Sequence, residues 1–587
     1  MYLRHTVIRK NGKAHTYWRL VRSVRIGKSV RQEIVAQLGE LDAQGRIRAQ
    51  ALAKRLGAHE ELPGLFDWPL EKEVAQIRLN AVALERVRRF GDVWLGTKLW
   101  RMAKLDEFFE KHLPPWQEDI PWWTTAQILT LARLCEPSSE LHIAEDWIRK
   151  TALADLLEID ETKVNKDRLY RGLDKVLALK LLLEAHLKEQ WQGRFEVKYD
   201  LLLYDITSTY FEGQAKRNKQ AKRGHSRDHR GDYKQVCIGL IVTRSGMPLG
   251  FEVFDGNIHD SETVKKIIES IEARYGKADR VWVMDRGMVS QDIFQWMRQG
   301  GRRYVLALMK SALKPYEALL KDTDGWKTLR EGIVVRWAPP NPDTGEKFLL
   351  CRSADRQQKD QAIEALFAQR IEEGLESLKR RRDQAAKDID LGKVQRQIGR
   401  LLQRNQRAAA LFDIRCQADP HHPSKVQVHW TRNESEQVWR ALTHGVYILA
   451  VYGCDASEAD LWTMYIQLTQ VEDAFRTHKS QLDMRPIYHQ KEDRVQAHIL
   501  ICFLAYCLWK MLEQWQRQAG LGNSPRTILE ELGHIQSGDI VLPTTTGERI
   551  RLRSIVRPEK PQKILLERLG LVLPKRMRIP PAIEQQL

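Results

Sequence analysis

At Phe195 the hydrophobic pattern of this chain changes period, and that change constrains the fold more than any other feature of the sequence. Val197–Asp205 (VKYDLLLYD) reads as an apolar strand ending in an acid. QVCIGLIVT and GMPLGFEVF follow as two further strands joined by the turn Arg244-Ser245-Gly246. Asp260–Tyr275 is a helix capped by Asp260 or Ser261. Asp279–Asp285 (DRVWVMD) is a fourth strand that again finishes in an acid, Gln291–Gln299 a helix, and Arg303–Met309 a fifth strand. Three strands, a helix, a strand, a helix and a strand make a mixed α/β layout that still needs a helix to cover it.

That helix does not come next. Residues 311–455 hold short strands (GIVVRW, KFLLCR, KVQVHW, VYILAVY) around a charged stretch, Arg356–Phe412. Its apolar positions Ile363, Phe367, Ile371, Leu375 and Leu378, then Val394, Ile398 and Leu401, recur at helical steps about a turn near Asp388–Gly392. The expectation is a helical hairpin, hence an insertion. The α/β pattern resumes over 456–518 with the helical stretch Leu461–Lys479 and the long helix Arg494–Gln518, leaving 196–310 as the first part of the interrupted core. Before the core, 1–65 reads as a basic three-stranded meander followed by a helix over Leu41–Gly64, and 66–195 as an almost wholly helical region expected to bind DNA. Residues 519–587 offer a helix, a hairpin through Gly538–Ile555 and a basic end.

A chain of 587 residues is too long for one core. Its 95 Lys and Arg against 77 Asp and Glu give a formal charge of +18, which favours a polyanionic partner, nucleic acid ahead of a membrane surface. The seven cysteines are scattered, without zinc spacing, as in a protein kept reduced in the cytoplasm. The basic, alternating N-terminus is no signal peptide, and the run ILICFLAYCL is shorter than a bilayer span, so no membrane is expected.

Asp205 and Asp285 each stand where a strand of one sheet is expected to end, and Glu472 lies on a helix able to pack against that edge. At about 100° per residue Tyr465, Leu468, Glu472, Phe475, Arg476 and Lys479 share one arc of the Leu461–Lys479 helix. Three like charges at one point are costly without cations, and with two Mg²⁺ ions (or Mn²⁺) the cost becomes affinity. Two such ions can activate an attacking hydroxyl and stabilise the leaving oxygen of a phosphodiester displacement. Asp200, Asp255, Asp260 and Glu212 compete for the same roles.

Tyr465-x2-Leu468-x3-Glu472-x6-Lys479 resembles the Tyr-x2-Arg-x3-Glu-x6-Lys motif of bacterial insertion-sequence DDE transposases. YDITSTYFEG around Asp205, GHSRDHRGDYKQVCIGLIV, the segment Phe254–Asp260, VMDRGMVS around Asp285 and HKSQLDMRPIYHQKEDRVQAHILICFLAYCL add to the likeness, which spans roughly residues 196–515. The resemblance implies a ribonuclease-H-like core broken by an insertion domain, and catalysis by Asp205, Asp285 and Glu472 with divalent metal. It also implies DNA contacts from Tyr465 and Lys479. The motif's Arg is Leu468 here, so Arg476 on the same arc is the candidate replacement. The expected partners are double-stranded DNA, as terminal inverted repeats and target, and a second copy of the chain, since two ends must be paired; the expected location is cytoplasmic, on the nucleoid. A ribonuclease-H-like repair or junction nuclease and a non-catalytic, transposase-derived DNA-binding protein are the alternatives.

Overall fold

The computed structural model describes the chain except for residues 11, 12, 27, 28, 44, 48, 51, 52, 54–74, 116, 278, 279, 289, 385–389, 419–425 and 580–587. The chain divides into two compact units, Met1–Arg88 with Gln536–Arg557 and Pro574–Leu587, and Arg89–Ile535 with Pro558–Leu573.

In the first unit the alternating N-terminus forms β1 (Tyr2–Lys10), β2 (Lys13–Ile26) and β3 (Ser29–Glu40), an antiparallel meander with β2 central. Most of the helix expected over Leu41–Gly64 lies outside the described residues. A second sheet joins β4 (Ala83–Arg89) to the hairpin of β16 (Gln536–Pro543) and β17 (Arg549–Ile555). The hairpin matches the sequence reading, whereas β4 falls in a stretch expected to be helical. ALERVRR carries its alternation over too few residues to overrule the helical signal around it. Asp539 and Arg553 are buried as a bidentate pair, at 2.7 and 2.9 Å.

The second unit is built on a nine-stranded mixed sheet in the order β10-β11-β12-β15-β9-β8-β5-β6-β7. Its first half is β5 (Leu201–Tyr210), β6 (Gln235–Thr243) and β7 (Pro248–Asp255), paired antiparallel, with β8 (Val281–Met284) parallel to β5 and β9 (Arg303–Ala307) parallel to β8. Leu202, Tyr204 and Ile206 of β5 pack on one face beneath α5 (Asp260–Tyr275) and α6 (Gln291–Gln299), with Val264, Ile267, Ile271, Phe294 and Met297. Strand alternation therefore turns Leu203, Asp205 and Thr207 to the other face.

The other half of the sheet comes from the inserted segment. β10 (Lys327–Arg330), β11 (Ile333–Ala338) and β12 (Lys347–Ser353) pair in sequence, and β15 (Val446–Tyr452) lies antiparallel between β12 and β9. So the short strands read in 311–455 do not all form a body of their own, as the reading of an insertion domain had it; GIVVRW, KFLLCR and VYILAVY extend the central sheet, together with the additional strand β10. What stands apart is α7 (Ala354–Asp383) and α8 (Leu391–Arg404) with the hairpin β13 (Phe412–Ala418) and β14 (Val426–Arg432), closed over a small core of Ile371, Leu375, Val394, Ile398 and Val428. Of the turn expected near Asp388–Gly392, residues 388 and 389 lie outside the described residues, and Asp390 caps α8, accepting from Gly392 N at 2.9 Å.

The helical region includes α1 (Gly91–Met102), α2 (Trp122–Cys135), α3 (Lys166–Leu177) and α4 (Lys180–Phe195). Through α2 and α3 it packs against the long helix Glu492–Gln518, which also meets β7, where the Phe251 and Phe503 rings lie 5.1 Å apart. That helix is long and apolar enough to cross a membrane, but 94% of its apolar stretch is buried inside the unit. The described residues of 89–195 thus belong to the same unit as the nine-stranded sheet.

Candidate active site

β5 and β8 run parallel with Leu203 opposite Val283, so the same register carried two residues on brings Asp205 beside Asp285. The sequence placed both acids at strand ends. Only Asp285 stands there, directly after β8; Asp205 lies in the middle of β5, which continues to Tyr210 because ITSTY is itself β-branched and aromatic. The third acid arrives from the helix that packs on the face to which Asp205 points.

The stretch Leu461–Lys479 is not one continuous helix. α9 (Glu458–Ile466) stops at Gln467–Leu468, α10 (Thr469–Arg476) starts anew, and a wider turn, Thr477–Gln481, follows. Leu468 N donates to Tyr465 O, Gln470 N to Gln467 O and Val471 N to Leu468 O, three-residue bonds that tighten the backbone and reset the helical phase. The arc inferred from an even 100° step therefore divides. Glu472, Tyr465 and Leu468 face one cavity, whereas Arg476 and Lys479 turn elsewhere.

Asp205, Asp285 and Glu472 together line two cavities of about 320 and 280 Å³. Ile206, Thr207, Arg227, Asp260 and Phe475 are among the residues completing the first; Arg356, Tyr465, Ile466, Leu468 and Thr469 complete the second. Burial pushes the Asp205 carboxyl up to about 7; the Ile206 amide at 2.7 Å and Arg227 pull against this, while the charges of Asp285 and Glu472 add to it. Glu472 is raised by its own burial and then by Asp285 and Asp473. Among the described side chains none of the three carboxylates has an ion-pair partner. Oxygen-only donors held together against their own repulsion are what a hard divalent cation requires.

The competing acids are accounted for by their neighbours. Asp260 lines the first cavity but receives Arg227 Nη2 at 2.6 Å. Asp255 is paired with Lys222 and Asp200 with Arg244. Glu212 lies beyond the end of β5, where its amide donates to Ile487 O.

The candidate DNA contacts fare unequally. Tyr465 lines the second cavity, its ring 5.4 Å from that of Tyr447. Arg476 is exposed and bonded to Asp473 at 2.6 Å. Lys479 is largely buried and donates to the buried Asp228 at 2.8 Å, a carboxylate that also receives Arg485. Arg356, on the first turn of α7, was invisible in a long charged stretch, yet its guanidinium lies 5.0 Å from the Tyr447 ring and faces the cavity beside Leu468. Arg227 and Asp228, which the sequence shows only within the segment GHSRDHRGDYKQ, fix that loop to α5 and to the turn after α10. A separate group, Glu140, His489 and His498, brings one ligand atom from each residue within 4.8 Å of the others.

Residues 197–508 match the family described as transposase DDE domain, and residues 3–62 match the N-terminal domain of the IS1634 family of transposases. No curated protein matches. Among solved structures the chain is similar to the piggyBac transposase in a synaptic complex with hairpin DNA, at 9% identity and a TM-score of 0.34, over 78% of this chain and 82% of that one.

Proposed function

The chain belongs to the insertion-sequence DDE transposases, and on that premise we propose that Asp205, Asp285 and Glu472 are its catalytic acids. DDE transposase domains work with divalent metal and act on DNA; the finer reading is two Mg²⁺ ions, with Mn²⁺ as a substitute, held by these three carboxylates. The observation that carries it is the register of β5 on β8, which pairs two acids eighty positions apart, together with the two cavities that Asp205, Asp285 and Glu472 line in common. Bound metal would supply a polarised phosphate and an activated water or 3′-hydroxyl. The residues do the rest. Asp205, fixed by the Ile206 amide, and Asp285, fixed at the end of β8, set the donor positions, and Glu472 closes the set from α10. Asp260 is occupied by Arg227 and so leaves Asp205 free to act as a ligand.

The strand order β9-β8-β5-β6-β7, three antiparallel strands with two parallel ones added beyond the first, supports a ribonuclease-H-like core. Arg356 and Tyr465 are the residues placed to touch DNA phosphates at the reacting strand, Arg356 taking the place that Leu468 cannot fill. Lys479 serves instead to position the loop that carries Arg227, through Asp228. The reaction is hydrolysis of one phosphodiester at the element's end followed by attack of the freed 3′-hydroxyl on target DNA. The terminal inverted repeats and target DNA would be held by a dimer, on the nucleoid in the cytoplasm, in keeping with the charge of +18.

Purified protein with Mg²⁺ and a duplex carrying the inverted repeat should nick that duplex at the repeat boundary and join it to a plasmid. Asp205→Asn, Asp285→Asn and Glu472→Gln should each remove nicking and keep binding. Nicking without joining would leave the nuclease alternative, and full activity in any of the three variants would refute the assignment.

A further inference from the structure

At the far end of β5 from Asp205 the chain builds a second cleft, of about 500 Å³, that the acids do not reach. Two segments form it, the loop after β5 and the strap before the helix Glu492–Gln518. They run side by side as a pair of backbone bridges, Phe211 with Ile487 and Arg217 with Lys491. The Gln490 side chain locks them further, accepting from Ala215 N at 2.6 Å and donating to Glu212 O at 3.1 Å, and the Glu492 carboxylate accepts from Lys219 N at 3.1 Å.

On this pinned scaffold Lys216, Arg217 and Lys491 are exposed, and none has an ion-pair partner among the described residues. Tyr488 is 69% exposed in the middle of the strap. Neither feature serves packing: the three cations and the ring stand outside the core on a segment whose backbone is already pinned. The opposite wall is neutralised: Arg494 is tied to Asp174 at 2.9 Å and stacks on Tyr170, 5.1 Å from its ring.

We infer that this cleft grips the sugar-phosphate backbone of the bound DNA inside the element, at a distance from the cut. Lys216, Arg217 and Lys491 each neutralise a phosphate and Tyr488 packs along the strand. The distance follows from β5. At about 3.3 Å per residue, Phe211 lies roughly 20 Å from Asp205, which is about six base pairs of duplex at 3.4 Å each. A duplex end seated at the acids and running over the surface parallel to β5 would meet the cleft at about that spacing. The inference rests on the DNA-cleaving reading above but concerns binding alone.

The test uses the full-length protein, a fluorescent duplex carrying the inverted repeat that flanks the coding sequence, and Ca²⁺ in place of Mg²⁺. The variant Lys216→Ala/Arg217→Ala/Lys491→Ala should reduce the slope of log K against log salt by about 2.7, from about 0.9 per lost phosphate contact, and weaken binding more than tenfold at low salt. Tyr488→Ala should weaken binding several-fold with the slope unchanged, and Tyr488→Phe should restore it. Phosphate-ethylation interference should vanish in the triple variant only around six base pairs from the cleaved bond, while circular dichroism matches the wild type. An unchanged slope with the interference pattern intact overturns the inference. Failure of the catalytic reading would show differently, as a wild type that keeps this interference pattern in Ca²⁺ and does not nick the same duplex in Mg²⁺.

Discussion

Replacing Asp205 by Asn should make the metal-free protein more stable at neutral pH, the opposite of what removing a buried hydrogen-bonding acid normally does. In the folded chain the Asp205 carboxyl is raised from 3.8 to about 7, first by burial and then by Asp285 and Glu472. The folded state therefore holds this proton more tightly than the unfolded one, and stability falls as pH rises from about 4 towards 7 and levels off above it. At 1.36 kcal/mol per pH unit the penalty above pH 7 reaches about 4 kcal/mol, an upper value because the three acids share it. Asparagine keeps the shape and the bond from the Ile206 amide and carries no charge. In EDTA at about pH 8 the variant should unfold several degrees above the wild type, and near pH 4.5 the two should converge. Adding Mg²⁺ should raise the wild type and leave the variant where it is, since a ligand stabilises only the state that binds it. Thermal unfolding followed by near-ultraviolet circular dichroism reads both comparisons. A variant that is no more stable at pH 8 in EDTA, or a difference that does not change with pH, refutes the reasoning.

Other perturbations follow from the same geometry. Arg356→Ala should lower the rate of nicking on saturating DNA by roughly 10²-fold with little change in end binding, as loss of a positioned phosphate donor does, and Arg356→Lys should recover part of it; a variant with unaltered nicking would contradict the role given to Arg356. Lys479→Met leaves Asp228 with Arg485 alone and should cost about 1–3 kcal/mol in denaturant unfolding, a burial effect present without any DNA. Gly239→Ala would set a methyl 2.8 Å from the Tyr204 hydroxyl and 3.1 Å from Phe254, so it should destabilise by about 1–3 kcal/mol and, because Gly239 pairs with Ile206 beside Asp205, should depress activity as well.

Much of the catalytic half was legible in the sequence because its signals are local. VKYDLLLYD, QVCIGLIVT, DRVWVMD and RYVLALM are apolar strands of ordinary length, and each is found in the sheet. Less could be read where long-range pairing decides. Nothing local in VYILAVY says that it will pair with RYVLA across some 140 residues, so the sheet's extension through β15 to β12, β11 and β10 was invisible. The site divides on the same line. Asp205, Asp285 and Glu472 were found as three acids on predictable elements, but the break at Gln467–Leu468 depends on backbone bonds that no period reveals, and it turns Lys479 to Asp228 and Arg476 to Asp473. Arg356 could not be singled out from the many cations of its helix without knowing that β12 delivers the start of that helix to the cavity beside Leu468.

The central claim is that three carboxylates from β5, the end of β8 and α10 form one divalent-metal centre. Anomalous diffraction from crystals grown with Mn²⁺ tests it most directly. Strong peaks bridging Asp205, Asp285 and Glu472, lost in Asp205→Asn, are the predicted result. Density confined to Glu140, His489 and His498, or none among the three acids at saturating Mn²⁺ with DNA present, would contradict the account.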